Sequence, residues 1–431
     1  YVFSATSLHL LKHRIQLALT VLVFACAGLA EPVMAQQRVA FVTSVSGDSD
    51  LDSWPVDGLT GTGLDAADEI CIKLAGEAGL DNAANFVAWM SDSIDDAYCR
   101  IHQLEGKKSS NCGQVNLPAS AGPWVRTDGK PFAPSVEFVA DNDRVVYHPL
   151  SVDQDGNAIA VDLFTAAWTG TDFEGAFRSP SCDDWNGTPA GSGRMGAPAA
   201  TRHSWTDFGT QGCAGTAYLY CLETEAGSAL ELPEPEFRIA FMTDASGNGD
   251  LSSWPQAEMG TEGLSAGDSI CRSAADAAGL PAASEFKAWL SDGAMTAKDR
   301  FVHDGPIYRL DGFEVGSSLA DLADGQLTTP INQREDGSYV GNFGVWTGTA
   351  ANGTAAAHCA SWQSTASTGT VGTANFTSAR WTTQDDSGGP KDCSQTFPHL
   401  YCIADINPAT ILIFKDGFED LQLQRQNQVP E

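Results

Sequence analysis

Basic residues are scarce in this chain of 431 residues, which has 24 Lys plus Arg against 55 Asp plus Glu and a formal net charge of −31 at pH 7. A surface of this sign repels nucleic acid, heparin-like polyanions and anionic lipid headgroups. We therefore do not expect these polyanions as partners. The simplest meaning of the charge is solubility outside the cell.

The sequence also lacks the short motifs of common metal and hydrolase sites. Neither His-Glu-x-x-His nor Gly-x-Ser-x-Gly occurs, the 8 histidines are scattered, and the 11 cysteines show no metal-finger spacing. We therefore expect no bound metal, no cofactor and no catalytic residues.

One loop shows a weak similarity to a calcium site. Asp244, Asn248 and Asp250 place oxygen-bearing side chains at alternate positions, as an EF-hand-type loop does. Pro255 stands where the closing glutamate would be. A plain Gly/Asp turn is the preferred interpretation of this loop, and calcium binding is the alternative.

Long apolar runs are missing except near the beginning of the sequence. Residues 15–29 are apolar, follow the basic residues 12–14, and precede a small-residue site at residues 33–35. This is the layout of a secretory signal peptide, and the run is shorter than the roughly 20 residues that a membrane-spanning helix needs. We predict a signal peptide over residues 1–35, no membrane span, and a secreted, periplasmic or cell-surface protein.

The cysteine count agrees with export to an oxidising compartment. Cys26 lies in the signal segment, and the other ten cysteines are an even number that is able to pair completely. An alternative interpretation makes Cys26 a lipid-attachment site, although Phe24 stands where lipoprotein signals usually carry a small residue.

An internal repeat is the strongest signal in the sequence. Arg38-Val39-Ala40-Phe41 recurs as Arg238-Ile239-Ala240-Phe241, and the offset of 200 holds without a gap to Arg100 and Arg300. Later landmarks also recur, including Trp168 with Trp346 and Leu219-Tyr220-Cys221 with Leu400-Tyr401-Cys402. The sequence therefore predicts two homologous domains, over residues 36–224 and 237–404.

A linker over residues 225–236 and a tail over residues 405–431 complete the predicted organisation. Each domain begins with a short strand and continues into a helix, at about 65–78 and 266–278. The predicted class is α+β, with one main helix, an irregular antiparallel sheet and long loops in each domain. Residues 411–419 of the tail are interpreted as an edge strand or, alternatively, as a sorting or docking tag.

Several of the repeated segments resemble endostatin, a C-type-lectin-like domain at the carboxyl end of certain collagens. Those segments are Ala67-Asp68 to Cys71, Ala78-Gly79-Leu80, Phe86 to Trp89, Val345-Trp346-Thr347-Gly348, Cys359-Ala360-Ser361-Trp362 and Leu400 to Ile403. The similarity covers both repeats, and it is closest to bacterial exported proteins that carry this domain. It implies two tandem C-type-lectin-like domains.

The resemblance also implies a disulfide pattern that joins the first cysteine to the last and the second to the third. The implied pairs are Cys71–Cys221, Cys182–Cys213, Cys271–Cys402 and Cys359–Cys393. It leaves Cys99 and Cys112, which lie in one insertion of repeat 1, to pair with each other.

The known ligand sites of these families do not carry over to this sequence. No histidine lies between Ala35 and Arg38 to supply a zinc site like that of endostatin, and Glu-Pro-Asn, Gln-Pro-Asp and Trp-Asn-Asp are absent. The predicted function is therefore general: a non-catalytic recognition or adhesion protein whose loops bind an extracellular protein or glycan. A structural envelope protein is an alternative.

Most tryptophans recur at matched positions of the repeats, which favours packing in the core. Trp124 and Trp205 are less constrained by the repeat. We therefore predict that these two side chains are exposed and contact the ligand.

Two segments of repeat 2 imitate a trypsin-like protease. His358 precedes Cys359, and Ser387 lies in an Asp-Ser-Gly-Gly run. The spacing between His358 and Ser387 leaves no room for the barrel that such enzymes place between these residues. Repeat 1 keeps the cysteines without the protease-like residues, so a secreted hydrolase is the less favoured alternative.

We predict that His358→Ala and Ser387→Ala leave any activity of the protein intact, because the repeat already explains the neighbouring cysteines. Labelling with a fluorophosphonate probe measures this directly. Stoichiometric labelling of Ser387 that is lost in the His358→Ala variant would establish a hydrolase instead.

Overall fold

The computed structural model describes residues 37–140, 145–162, 164–187, 190–233, 238–383 and 389–407. The predicted signal peptide with Cys26, the protease-like Ser387 and the 411–419 element lie outside the described residues. Within the described residues, no helix is both long and apolar enough to cross a membrane.

Repeat 1 contains a main helix, two short helices and eight strands. The helices are α1 (Gly63–Glu77), α2 (Ala97–Ile101) and α3 (Val136–Ala140). The strands are β1 (Arg38–Val42), β2 (Phe86–Ala88), β3 (Trp124–Arg126), β4 (Pro131–Ala133), β5 (Ala167–Trp168), β6 (Ser192–Gly196), β7 (Gly209–Gly212) and β8 (Tyr220–Glu223).

The described part of repeat 2 keeps the main helix and the first and last strands of repeat 1, but it lacks a counterpart of α2. Its helices are α4 (Gly263–Ala277) and α5 (Leu319–Leu322). Its strands are β9 (Ala240–Met242), β10 (Phe286–Ala288), β11 (Ile307–Tyr308), β12 (Glu314–Gly316), β13 (Gly344–Trp346), β14 (Thr368–Gly369), β15 (Val371–Thr373), β16 (Lys391–Asp392) and β17 (His399–Ala404).

The main helix of each repeat packs one apolar face on the sheet. In α1 the buried residues include Ala67, Ile70, Cys71 and Leu74, which recur at steps of three and four residues. Gly79 follows the helix with a φ of +71°, a conformation that glycine adopts without a steric cost. The predicted α+β class and the main helices are confirmed, and the observed helices begin two or three residues earlier than predicted.

The sheet of each repeat is mixed, so the prediction of an antiparallel sheet is wrong. In repeat 1 the strand order is β2-β8-β1-β3-β4, and β1 runs parallel to β3. In repeat 2, β13 runs parallel to β17 while β9 and β10 pair antiparallel with β17. The physical reason is that long connections carry the chain back to the same end of the sheet, and local sequence does not reveal this.

Five disulfide bonds brace the two repeats. They are Cys71–Cys221, Cys99–Cys112, Cys182–Cys213, Cys271–Cys402 and Cys359–Cys393. Four of them are the pairs that the resemblance implies, and Cys99–Cys112 is the pair that it leaves over. So many disulfides indicate that the protein folds in an oxidising compartment.

Each repeat contains an equivalent turn in which four consecutive residues have a left-handed backbone conformation. The segments Cys182–Trp185 and Cys359–Trp362 have φ values from +48° to +67°. This conformation costs roughly 1–2 kcal/mol for each residue other than glycine. Each turn directs its cysteine into a disulfide and buries its tryptophan, whose Nε1 donates to a carbonyl oxygen 2.9 Å away, on Ser91 or Ser291. These interactions offset the backbone strain.

The two repeats contact each other through equivalent segments. The backbone N–H of Thr201 donates to the Asn375 oxygen at 2.9 Å, and the N–H of Thr377 donates to the Ala199 oxygen at 2.8 Å. Phe376 packs among alanines of repeat 1, and its ring lies 5.5 Å from that of Phe208. Because equivalent positions pair with each other, the contact has the self-complementary form of a twofold-symmetric dimer.

We predict that residues 36–224 fold alone in an oxidising compartment and melt cooperatively, because their helix, their sheet and three disulfides lie within the fragment. The melting temperature should be lower than that of the whole chain, since the edge around Thr201 loses its partner. Differential scanning calorimetry measures both properties. A second fragment that ends at residue 228 controls for the position of the cut. It keeps the two backbone hydrogen bonds that join Gly122 to Glu225 and Gly227, which the shorter fragment lacks. A fragment that stays unfolded would show that the repeats share one core.

The backbone conformation of the left-handed turns leads to a second prediction, which concerns the free energy of unfolding. Ala360 is exposed and has a φ of +50°, so Ala360→Gly should raise the free energy of unfolding by up to about 1 kcal/mol. The matched control is Ala277→Gly at the exposed last position of α4, where φ is helical and glycine should lower the free energy of unfolding. Chemical denaturation measures both changes, and an equal loss in the two variants would contradict the assigned backbone conformation.

Candidate functional site

The two tryptophans that the sequence offers as ligand contacts are both buried. Trp124 is 0% exposed and Trp205 is 1% exposed. Trp124 lies on the inner strand β3, and its Nε1 donates to the Glu223 oxygen at 2.7 Å. The prediction of exposed side chains is therefore wrong for both residues.

Trp205 is also constrained by the repeat, contrary to the sequence interpretation. Its ring lies 5.1 Å from that of Trp89, and in repeat 2 the ring of Trp381 lies 5.7 Å from that of Trp289. Trp205 and Trp381 therefore occupy the same core position. The insertion and the changing offset between the repeats hide this equivalence in the sequence.

The weak calcium candidate has its oxygen atoms engaged within the loop. Asp244 pairs with Arg334 at 2.9 Å, and Asn248 Oδ1 accepts a hydrogen bond from the Asp250 backbone at 2.9 Å. Asp250 Oδ1 in turn accepts from the Ser252 hydroxyl at 2.7 Å. These contacts are those of a turn. In the part of the chain that the structure describes, no group of three or more His, Cys, Asp or Glu residues is placed to hold a metal ion.

His358 caps the left-handed turn of repeat 2. Its Nδ1 accepts a hydrogen bond from the Ser361 backbone N–H at 2.8 Å. A neutral ring therefore carries its proton on Nε2, whereas the base of a serine protease donates from Nδ1 and accepts at Nε2. Repeat 1 has Ser181 at this position. His358→Ser is therefore a control for His358→Ala, because serine is the residue that the equivalent turn of repeat 1 contains.

A cavity of about 500 Å³ opens beside the carboxyl-terminal strand of repeat 2. Its walls combine aromatic rings with polar side chains and contain no carboxylate. The lining residues are Ser246, Asn342, Phe343, Gly344, Thr373, Lys391, Phe397 and His399. We call this the β17 cavity.

His399, the first residue of β17, has one ring nitrogen fixed by the backbone. Nδ1 lies 2.8 Å from the Thr243 oxygen and 3.1 Å from the Ala245 oxygen. Both partners are acceptors, so Nδ1 carries a proton. Burial lowers the pKa of His399 below its usual value, which favours the neutral ring. In that form Nε2 has a lone pair and acts only as an acceptor.

Two phenylalanine rings at the cavity remain partly in solvent. Phe343 is 39% exposed and Phe397 is 54% exposed. The Phe343 ring meets the His399 ring edge-on at 5.2 Å, and the guanidinium carbon of Arg334 lies 5.7 Å from the ring centroid of Phe343. Phe397 packs over Gly344, where an added Cβ would come within 3.2 Å of the ring. Both rings are thus positioned by neighbours while they stay accessible.

Three polar side chains of the β17 cavity are free to meet a ligand. Among the described residues, the side chains of Ser246, Asn342 and Lys391 have no hydrogen-bond or ion-pair partner. Their hydroxyl, amide and ammonium groups supply both donors and acceptors. Apolar rings with a few convergent polar groups are the usual composition of a small-ligand site.

None of the residues of this site forms a known motif, so the sequence alone does not point to it. A signal was nevertheless present in the differences between the repeats. Repeat 1 has Gln211 at the position of Lys391, Thr216 at that of Phe397, and Tyr218 at that of His399. The changes cluster within nine residues of a segment whose cysteines and core strand are shared.

Comparison with known proteins assigns neither a family nor an activity to this chain. No protein-family model matches the sequence, and no curated protein matches it. The two similar α+β units with their disulfides, and the geometry of the β17 cavity, are therefore the basis on which a function is inferred.

Proposed function

We propose that the chain is an exported, non-catalytic recognition protein that binds the end of an extracellular glycan in the β17 cavity. Its two repeats would be endostatin-like domains of the C-type-lectin-like class. The observation that carries the proposal is the pair of accessible rings, Phe343 and Phe397, beside unpaired hydrogen-bonding groups.

The shape of the site favours a glycan over a protein surface as the ligand. A volume of about 500 Å³ lies within the range of pockets that enclose small ligands. The C–H face of a sugar ring packs on an aromatic ring, and its hydroxyl groups need donors and acceptors at the rim. The β17 cavity supplies both kinds of contact, so a sugar residue at the end of a chain fits its chemistry.

The fold supports recognition because it holds the site on a braced segment. The strand that carries His399 is tied to α4 by Cys271–Cys402, and the segment before it is tied down by Cys359–Cys393. Binding residues on a rigid scaffold lose less conformational entropy when the ligand binds. This arrangement is suited to a binding module that works outside the cell.

The chain without residues 1–35 should bind a subset of structures on a glycan array. Phe343→Ala and Phe397→Ala should each weaken this binding by about fivefold, because loss of an aromatic contact costs on the order of 1 kcal/mol. Phe164→Ala is the matched control, since Phe164 is 75% exposed but lies in repeat 1. Glycan binding that survives both cavity variants would exclude the β17 cavity. Binding of a protein partner without any glycan would show that the ligand class is wrong.

A further inference from the structure

The lining of the β17 cavity has a cation and no carboxylate, whereas the chain as a whole is strongly acidic. The chain has 55 acidic and 24 basic residues, yet the lining contains Lys391 and neither Asp nor Glu. Lys391 has no ion-pair partner among the described residues. An unpaired cation beside a cavity, in a protein rich in carboxylates, is a site for an anionic group from outside the chain.

Two carboxylates stand close in sequence to lining residues of the cavity, and each has a contact elsewhere. Asp392 follows Lys391 on β16, and its Oδ1 accepts the Ser394 backbone N–H at 2.8 Å, which lowers the pKa of Asp392. Asp244 pairs with Arg334 at 2.9 Å. Neither residue lines the cavity. Among the described residues, Lys391 thus forms no ion pair with either carboxylate.

His399 sets a second requirement on the same ligand. Its Nδ1 proton is held by the carbonyl oxygens of Thr243 and Ala245, so the neutral ring offers only the Nε2 lone pair. A group that binds there must donate a hydrogen bond, as a hydroxyl does. The ligand must thus present an anion to Lys391, a hydroxyl to His399 and an apolar face to Phe343 or Phe397.

We infer that the β17 cavity binds a glycan whose terminal sugar carries a carboxylate, with Lys391 as its counter-charge. This inference rests on the proposed function and names the class of sugar. A carboxylated pyranose combines an anion, hydroxyl groups and a C–H face within one ring. The net charge of −31 at the same time disfavours a long polyanion, so the ligand has an isolated acidic sugar at its end.

The experiment compares short glycans that end in glucuronic, galacturonic or sialic acid with their methyl esters, which keep the sugar and remove the charge. Isothermal titration with the full mature chain should give at least tenfold tighter binding for one acid than for its ester. Raising the salt concentration should reduce this preference, because the contribution of the ion pair is screened.

The Lys391→Gln variant is the decisive one, because glutamine is the residue that repeat 1 carries at Gln211. It should bind the acid and the ester with equal affinity. Lys391→Arg is the control that retains the charge and should retain the preference. Thermal melting of both variants verifies the fold.

The outcomes separate this inference from the proposed function. Glycan binding that depends on Phe343 but is equal for acid and ester would overturn the acidic-sugar inference and leave the proposed function standing. Failure of every acid and ester to bind, together with a blank glycan array, would overturn both. An unchanged preference for the acid in Lys391→Gln would exclude Lys391 as the counter-charge.

Discussion

The disulfide between the main helix and the closing strand is the constraint on which the rest of each repeat depends. Cys71 lies on the buried face of α1 and is bonded to Cys221 on β8, 150 residues away, and Cys271 is bonded to Cys402 on β17 across 131 residues. In the chain-entropy model, a disulfide that closes a loop of this length raises the free energy of unfolding by up to about 5 kcal/mol. Because this bond holds the two ends of the repeat together, the chain between them tolerates long loops and short strands.

The second shared disulfide fixes the part of the scaffold that local sequence preference opposes. Four consecutive residues of Cys359–Trp362 adopt a left-handed conformation that none of them favours. The bond to Cys393 and the burial of Trp362 hold that turn in place. The same bond anchors the start of the segment that reaches β17, and Lys391, Phe397 and His399 all lie on or beside that segment. The disulfide that braces the fold therefore also positions the segment that lines the β17 cavity.

The two repeats have kept this scaffold and changed what it carries. Repeat 1 has an insertion braced by Cys99–Cys112, whereas repeat 2 has the cavity with its aromatic and cationic lining. Their mutual contact uses equivalent segments around Thr201 and Thr377. The two repeats therefore share a scaffold and differ in the segments that this scaffold carries.

The sequence by itself determined the duplication, the two main helices and the α+β class, because repetition, apolar periodicity and terminal glycines are local signals. Its resemblance to endostatin also implied four of the five cysteine pairs that the structure contains. Only the tertiary structure decided that β1 and β3 run parallel, that Trp124 and Trp205 are buried, and that His399 faces a cavity with Phe343. The physical reason is that these features depend on contacts between segments far apart in the chain, which residue spacing does not encode.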